Sequence, residues 1–185
     1  MKYAFSWVRA AWIISLAIMT AAAIFTFLKG ENNLSDIAPF LGLALLITGF
    51  INIVIYLRRS KRIHGSHWLL ADGLSTALLS VFLLFNVHIE SAIIPFFFGV
   101  WELFSGVLKS IDSLELKGEK IKDWYRFTVV GVIEIISGVA ALLKPIDNFV
   151  GMHKMVAIIL AIQSCGYLFK ILIYPHIIDR HLIKK

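Results

Sequence analysis

The chain has 185 residues, of which 59% are apolar and only 16% are charged. Soluble domains average about 45–50% apolar and about 25% charged residues, so this composition excludes a soluble, disordered or collagenous protein. The net charge of +6 does not indicate nucleic acid, because the basic residues lie in short segments between apolar runs, a pattern typical of membrane proteins. A single cysteine, Cys165, excludes an intramolecular disulfide and a cysteine-based zinc site.

Six apolar stretches of about 18–23 residues are long enough to cross a bilayer as helices. In chain order they cover about 10–28, 37–57, 68–87, 91–111, 126–143 and 152–174. Helices are expected because lipid offers the backbone no other hydrogen-bond partners. We therefore predict an all-α fold, a polytopic six-helix transmembrane bundle that forms a single domain over residues 1–185. The first stretch is expected to be a retained helix, since it runs past Ala21–Ala23 to Leu28 and exceeds a typical signal core.

The distribution of Lys and Arg predicts the orientation. The N-terminus, the second and fourth connections and the C-terminus together carry 15 of the 18 basic residues, counting Lys109, Arg126 and Lys170 with their nearest connections. The opposite side carries Lys29, Lys144 and Lys154. Cytoplasmic loops are enriched in Lys and Arg, so both termini are predicted to be cytoplasmic.

An internal repeat divides the six spans into three helical hairpins. Trp12, Trp68 and Trp124 are 56 residues apart and each begins an odd-numbered span. Indole rings prefer the water–lipid interface, so these three residues are predicted to be interfacial anchors. The hairpin repeats are expected over about 10–57, 68–111 and 126–174, the third being the most divergent.

Glycines seven residues apart form a second pattern inside the spans. Residues 99–106 of span four (GVWELFSG) match residues 131–138 of span five (GVIEIISG), and residues 42–49 (GLALLITG) are a weaker version. Such glycines lie two turns apart on one helix face, where neighbouring backbones can approach closely. A glycine-lined substrate passage is the alternative to close packing. The predicted helix-packing positions are Gly42, Gly49, Gly73, Gly99, Gly106, Gly131, Gly138 and Gly166.

With its tryptophan repeat and its paired glycine motifs, the chain resembles the HdeD-type membrane proteins, six-helix proteins of the bacterial inner membrane. That family is named after an acid-resistance protein. The resemblance implies a role in acid-stress response or envelope homeostasis in the bacterial cytoplasmic membrane, and it brings no catalytic residues with it.

Three carboxylates fall within the predicted spans and are candidate proton- or ion-handling groups. Asp72 lies close to Trp68 and is expected to be an interfacial charge near Arg58–Arg62. Glu102 and Glu134 lie near mid-span, where a charge costs about 2.5 kcal/mol or more and normally faces the protein interior or water. They could bind and release a proton or a cation, or each could stay neutral and clamp helices together by hydrogen bonds. Span six has Ile162–Gln163 in place of a glutamate, so no threefold polar site is expected.

No motif of an enzyme, a metal site or a cofactor site is found in the sequence. His64 and His67 form a pair without a completing carboxylate or thiol, so a solvated cluster facing lipid headgroups is expected and no metal. The expected partners are the lipid bilayer and anionic headgroups at the cytoplasmic face; a homo-oligomer is left open. Two functions follow: a non-enzymatic role in acid-stress or envelope homeostasis, or a small proton, ion or solute transporter or channel that uses the mid-membrane glutamates.

Overall fold

A computed structural model describes residues 2–29, 34–59, 66–85, 90–118, 124–143 and 151–182. These residues form six α-helices, each long and apolar enough to cross a membrane. The predicted six-helix transmembrane bundle is thereby confirmed. The helices are α1 (Lys2–Lys29), α2 (Leu34–Arg59), α3 (Ser66–Phe85), α4 (Ile94–Gly118), α5 (Trp124–Leu142) and α6 (Met152–Leu182).

Three helices extend well beyond the predicted spans, and the first of them is α1, which begins at Lys2 and not near residue 10. Span four was expected to end at Ile111, but α4 continues to Gly118. Residues 112–117 contain neither Gly nor Pro, and the apolar face continues through Leu116, which is 1% exposed. Gly118 then ends the helix, as glycine commonly does. α6 likewise continues past residue 174 to Leu182. His64 and the side chain of His67 lie outside the described part of the chain.

The closest packing occurs between α4 and α5, between α2 and α3, and between α1 and α6. The helices of the α4–α5 pair and of the α2–α3 pair are consecutive in the chain, whereas the α1–α6 pair brings the two ends of the chain together. Within the three predicted hairpins, which pair α1 with α2, α3 with α4 and α5 with α6, the contact is less extensive. The repeat also appears in a contact, because Ser35 and Ser91, 56 residues apart, have their hydroxyl oxygens 2.9 Å from each other.

Glycines lie where the paired helices approach most closely. A Cβ added to Gly106 would lie 2.6 Å from the carbonyl oxygen of Gly131, and one added to Gly138 would lie 2.8 Å from that of Gly99. Gly49 meets Gly73 in the same way across α2 and α3, at 2.9 Å. Real Cβ atoms do not approach backbone this closely, so a larger residue here requires the two helices to separate. Gly42 faces the side chain of Leu84 instead, at 2.9 Å.

The buried charged residues that the structure describes lie in one half of the interior, and we call the half without them the apolar half. Fully buried apolar side chains fill the half that contains the beginnings of α2 and α4: Leu41, Leu45, Leu83, Ile94 and Phe98. The other half contains the buried charged residues. The fold therefore places its ionisable groups together in one part of the bundle.

Candidate functional site

Five ionisable side chains from four helices meet inside the bundle. Glu102 and Glu134 are fully buried, while Asp72 and Lys109 are 7% and 8% exposed. The side chain of Lys170 is 12% exposed. Charged groups are costly at membrane depth and persist only when they are paired or hydrogen-bonded. We call this group, with the polar side chains that contact it, the charge cluster.

Lys109 lies at the centre of the charge cluster. Its Nζ donates to the two carboxylate oxygens of Glu134, at 2.5 and 2.7 Å. It also donates to Ser105 Oγ at 2.9 Å and to Gln163 Oε1 at 3.2 Å. An ammonium group has three hydrogens, so these acceptors use its whole donor capacity. Counting Lys109 with the fourth connection was wrong, because α4 continues past it and carries its side chain into the interior.

Glu102 has a different set of partners from Glu134. Gln163 Nε2 donates to Oε2 of Glu102 at 2.7 Å, and Ser137 Oγ lies 3.2 Å from Oε1. Both partners are neutral, and no ion pair joins Glu102 to a cation among the described residues. The same Ser137 hydroxyl lies 3.0 Å from the backbone carbonyl oxygen of Glu134. A hydroxyl has one hydrogen, so it can donate fully to only one of these two oxygens.

Asp72 joins the charge cluster rather than the membrane surface. Its Oδ1 accepts from Ser105 Oγ at 2.8 Å, and its Oδ2 accepts from Asn52 Nδ2 at 3.1 Å. Lys170 Nζ is 3.5 Å from the same Oδ2. The expectation of an interfacial charge near Arg58–Arg62 was therefore wrong. The physical reason is that α3 turns Asp72 towards α2, α4 and α6, which supply three donors.

A hydroxyl and an amide extend the cluster across α2 and α6. Asn52 Nδ2 donates to the Tyr167 hydroxyl at 3.0 Å as well as to Asp72, and the Oδ1 atom of Asn52 is buried without a partner among the described residues. Lys170 Nζ lies 5.0 Å from the centre of the Tyr167 ring, within the range of a cation–π contact. α6 therefore contributes the Gln163 amide, the Tyr167 hydroxyl and the Lys170 ammonium group to the cluster.

Gly166 provides the space that the ion pair occupies. A Cβ added there would lie 3.3 Å from Glu134 Oε1 and 3.6 Å from Lys109 Nζ. This glycine was predicted as a helix-packing position, and the surface it faces is the Lys109–Glu134 pair rather than another backbone. A side chain at this position would push into the ion pair.

A small cleft reaches the charge cluster from one end of the bundle. Its walls include Asp72, Lys109, Asp112 and Lys170, and its cavity volume is about 30 Å³. That volume accommodates about two water molecules and no organic substrate. Glu102 and Glu134 do not line it; they lie one layer deeper, behind Lys109.

The three predicted tryptophan anchors occupy different environments. Trp12 is only 2% exposed, and it lines the cleft together with Trp68. Its prediction as a surface anchor was wrong, because α1 begins at Lys2 and carries Trp12 into the packed part of the bundle. Trp68 is half-buried, and its buried indole nitrogen has no hydrogen-bond partner in the part of the chain that the structure describes. Trp124 is half-buried, with Lys117 Nζ 4.8 Å from its ring centre.

Sequence reasoning missed Lys109, Lys170, Asn52 and Tyr167 as members of the site. A signal was present for Lys109: residues 102, 105 and 109 are spaced i, i+3, i+7 and therefore share one helix face. Gln163 and Lys170 have the same spacing of seven on α6. The described residues contain no group of three His, Cys, Asp or Glu side chains suited to a metal ion.

The fold and the charge cluster define a multi-pass membrane protein with an ionised, hydrogen-bonded interior. The chain belongs to the family described as a short repeat of unknown function (DUF308), whose model matches residues 34–85 and 71–143. The first match covers α2 and α3, the second runs from α3 to the end of α5, and together they cover more than half of the chain. Comparison with curated proteins finds no match, and comparison with solved structures finds none.

Proposed function

We propose that this chain is a non-enzymatic protein of the bacterial cytoplasmic membrane that acts in acid-stress or envelope homeostasis, with Glu102 as its proton-binding group. HdeD-type membrane proteins carry the same short repeat, which supports the acid-stress assignment. The proposed orientation has both termini in the cytoplasm. Lys109 and Lys170 lie in the interior and no longer count as loop residues. Most of the remaining Lys and Arg still lie on the side that is proposed to be cytoplasmic.

The surroundings of Glu102 carry this proposal. The charge cluster holds three acids, Asp72, Glu102 and Glu134, but only two lysines. Lys109 is paired with Glu134 and Lys170 with Asp72, so Glu102 is the acid left without a cation contact. A fully buried carboxylate with only neutral partners is strongly disfavoured, and a proton removes its charge.

The hydrogen bonds around Glu102 also fit a protonated carboxyl. A hydrogen on Oε1 can be donated to Ser137 Oγ, which frees the single hydrogen of that serine for the carbonyl oxygen of Glu134 at 3.0 Å. Oε2 remains an acceptor for Gln163. With a proton on Glu102, every polar atom in this part of the cluster has a partner of the right kind.

Survival of acid challenge tests the proposal in cells. Cells lacking the gene should lose viability in acid, and the parent protein should restore it. Glu102→Gln removes the titrating group but keeps its size, and it should fail to restore survival. Glu115→Gln, an exposed position on the same helix, is the control and should restore it. Full restoration by Glu102→Gln, or no loss of viability without the gene, would contradict the proposal.

A transporter or channel that uses Glu102 and Glu134 is the second candidate, and the cleft that reaches Lys109 and Asp72 is the observation in its favour. The apolar half of the interior argues against a continuous path, because Ile94 and Phe98 are fully buried there. Purified protein in vesicles with a trapped pH indicator separates the two functions. The transport hypothesis requires proton flux above that of empty vesicles, and our proposal requires none.

A further inference from the structure

We propose that the hydroxyl of Ser137 changes its hydrogen-bond acceptor when Glu102 gains or loses its proton, and that this change acts on the backbone of α5. This inference rests on the proposed function, which gives Glu102 a proton. It adds the regulation of that site: which carboxyl oxygen carries the proton, which hydrogen bond changes when the proton leaves, and which helix responds. Gln163 is the positioning residue.

The orientation of the Gln163 amide follows from its two neighbours. The ammonium group of Lys109 can only donate hydrogen bonds, so the amide oxygen, Oε1, faces its Nζ at 3.2 Å. The amide nitrogen, Nε2, therefore faces Glu102 and donates to Oε2 at 2.7 Å. Since an amide nitrogen is a donor only, a proton on Glu102 belongs on the other carboxyl oxygen, Oε1.

Oε1 of Glu102 faces a hydroxyl that has a choice of acceptor. Ser137 Oγ lies 3.2 Å from this oxygen and 3.0 Å from the backbone carbonyl oxygen of Glu134. Ser105 holds the matching position in the glycine motif of α4, but its hydrogen is donated to Asp72 at 2.8 Å. Of these two serines, it is therefore Ser137 that can change its acceptor.

The two protonation states of Glu102 give Ser137 different hydrogen bonds. With the proton present, the carboxyl O–H donates to Ser137 Oγ, and the serine hydrogen goes to the carbonyl oxygen of Glu134. On ionisation the carboxyl O–H bond breaks, its electron pair stays on Oε1 and the proton passes to water. Ser137 then donates to the carboxylate, because a hydrogen bond to a charged acceptor is stronger than one to a neutral acceptor. The carbonyl group of Glu134, on α5, loses that hydrogen bond.

The other titratable groups around Glu102 are engaged with one another. The four charges of the cluster form two ion pairs, and α2 contributes the neutral Asn52, which donates to a tyrosine hydroxyl. A change of charge at Glu102 therefore acts first on its neutral partners, Ser137 and Gln163. Gln163 donates in both states, so the hydrogen bond that changes is that of Ser137. The titratable groups are Lys109 on α4, Glu134 on α5, Asp72 on α3, and Tyr167 and Lys170 on α6.

Infrared spectroscopy of the protein in lipid, with ¹³C at the backbone carbonyl carbon of its glutamates, tests the change of acceptor. The pH is raised until the carboxyl band of Glu102 disappears. In the parent the labelled carbonyl band should then gain a component at higher wavenumber, because the carbonyl group of Glu134 loses a hydrogen bond. Ser137→Ala should show no such gain, whereas Ser137→Thr keeps the hydroxyl and should respond as the parent does.

Ser164→Ala is the matched control for Ser137→Ala. The Ser164 hydroxyl also donates to a backbone carbonyl, that of Leu160 at 2.8 Å, but it lies on α6 and makes no hydrogen bond with Glu102. This variant should respond as the parent does. A labelled band that stays unchanged in the parent while the carboxyl band is lost, a carboxyl band that persists at every pH at which the protein stays folded, or a full response in Ser137→Ala would overturn the inference. Absence of the carboxyl band from the parent at neutral pH would instead overturn the proposed function.

Gln163→Met tests the positioning role. It keeps the length of the side chain and removes both hydrogen-bonding groups, so Oε2 of protonated Glu102 loses its donor. The carboxyl band should therefore move to higher wavenumber, as expected when a carbonyl oxygen loses a hydrogen bond. A band that stays at the parent position in this variant would show that Oε2 is not the carbonyl oxygen and would contradict the placement of the proton on Oε1.

Discussion

Removing the ammonium group of Lys109 is expected to destabilise the protein more than any other single change in the charge cluster. Lys109→Met keeps most of the side-chain volume but leaves Glu134, which is fully buried, without its cation at 2.5 Å. Breaking a buried ion pair by removing one partner typically costs about 3–5 kcal/mol, because the other charge remains uncompensated. For a chain of this size, about 2–4 °C per kcal/mol converts that loss into about 6–20 °C of melting temperature.

Thermal unfolding of the purified protein in detergent at pH 8 measures this effect. The double variant Lys109→Met/Glu134→Gln removes both charges, so it should recover most of the lost stability even though it has one more substitution than the single variant. Glu102→Gln should be close to the parent, because a neutral amide can make the same contacts with Ser137 and Gln163. A single variant as stable as the parent, or a double variant no more stable than the single, would refute the reasoning.

Three further predictions address packing, the space around the ion pair, and orientation. Gly106→Leu should reduce the folded yield in detergent by far more than Ala161→Leu at an exposed site, because the added side chain meets the α5 backbone. Equal yields would show that α4 and α5 are not closely packed at Gly106. Gly166→Leu should lower the melting temperature about as much as Lys109→Met, since it displaces the ion pair; an unaltered melting temperature would contradict this. In a variant without the native cysteine, Glu90→Cys should react with an impermeant reagent on intact cells and Gly118→Cys only after permeabilisation; the reverse result would invert the topology.

The sequence predicts the number of membrane spans well, because about 20 consecutive apolar residues have few other uses. The heptad glycines also identify the close contacts between α4 and α5, such as the one between Gly106 and Gly131, since their spacing places them on one face. Lys109 was misplaced because a lysine near the end of an apolar run normally extends to the headgroups. The side chain of Lys109 turns inwards instead, because Glu134 on the neighbouring helix compensates its charge.

The contact between α1 and α6 could not be predicted, because it joins the two ends of the chain. Local sequence patterns do not show which distant helices pack together. This contact helps determine where Trp12 lies: a residue at the head of an apolar run suggests an interfacial anchor, but α6 packs against that part of α1. The position of Asp72 has a similar origin. Its partners Asn52, Ser105 and Lys170 come from three other helices, and only the assembled bundle brings them within hydrogen-bonding distance.

The protonation of Glu102 is the central claim, and the infrared spectrum of the protein in lipid at neutral pH tests it most directly. The account predicts a carbonyl band of a protonated carboxylic acid in the parent. That band should disappear in Glu102→Gln and persist unchanged in Glu115→Gln, where the substituted side chain is exposed. A parent spectrum without the band, or a band that survives Glu102→Gln at full intensity, would contradict the account.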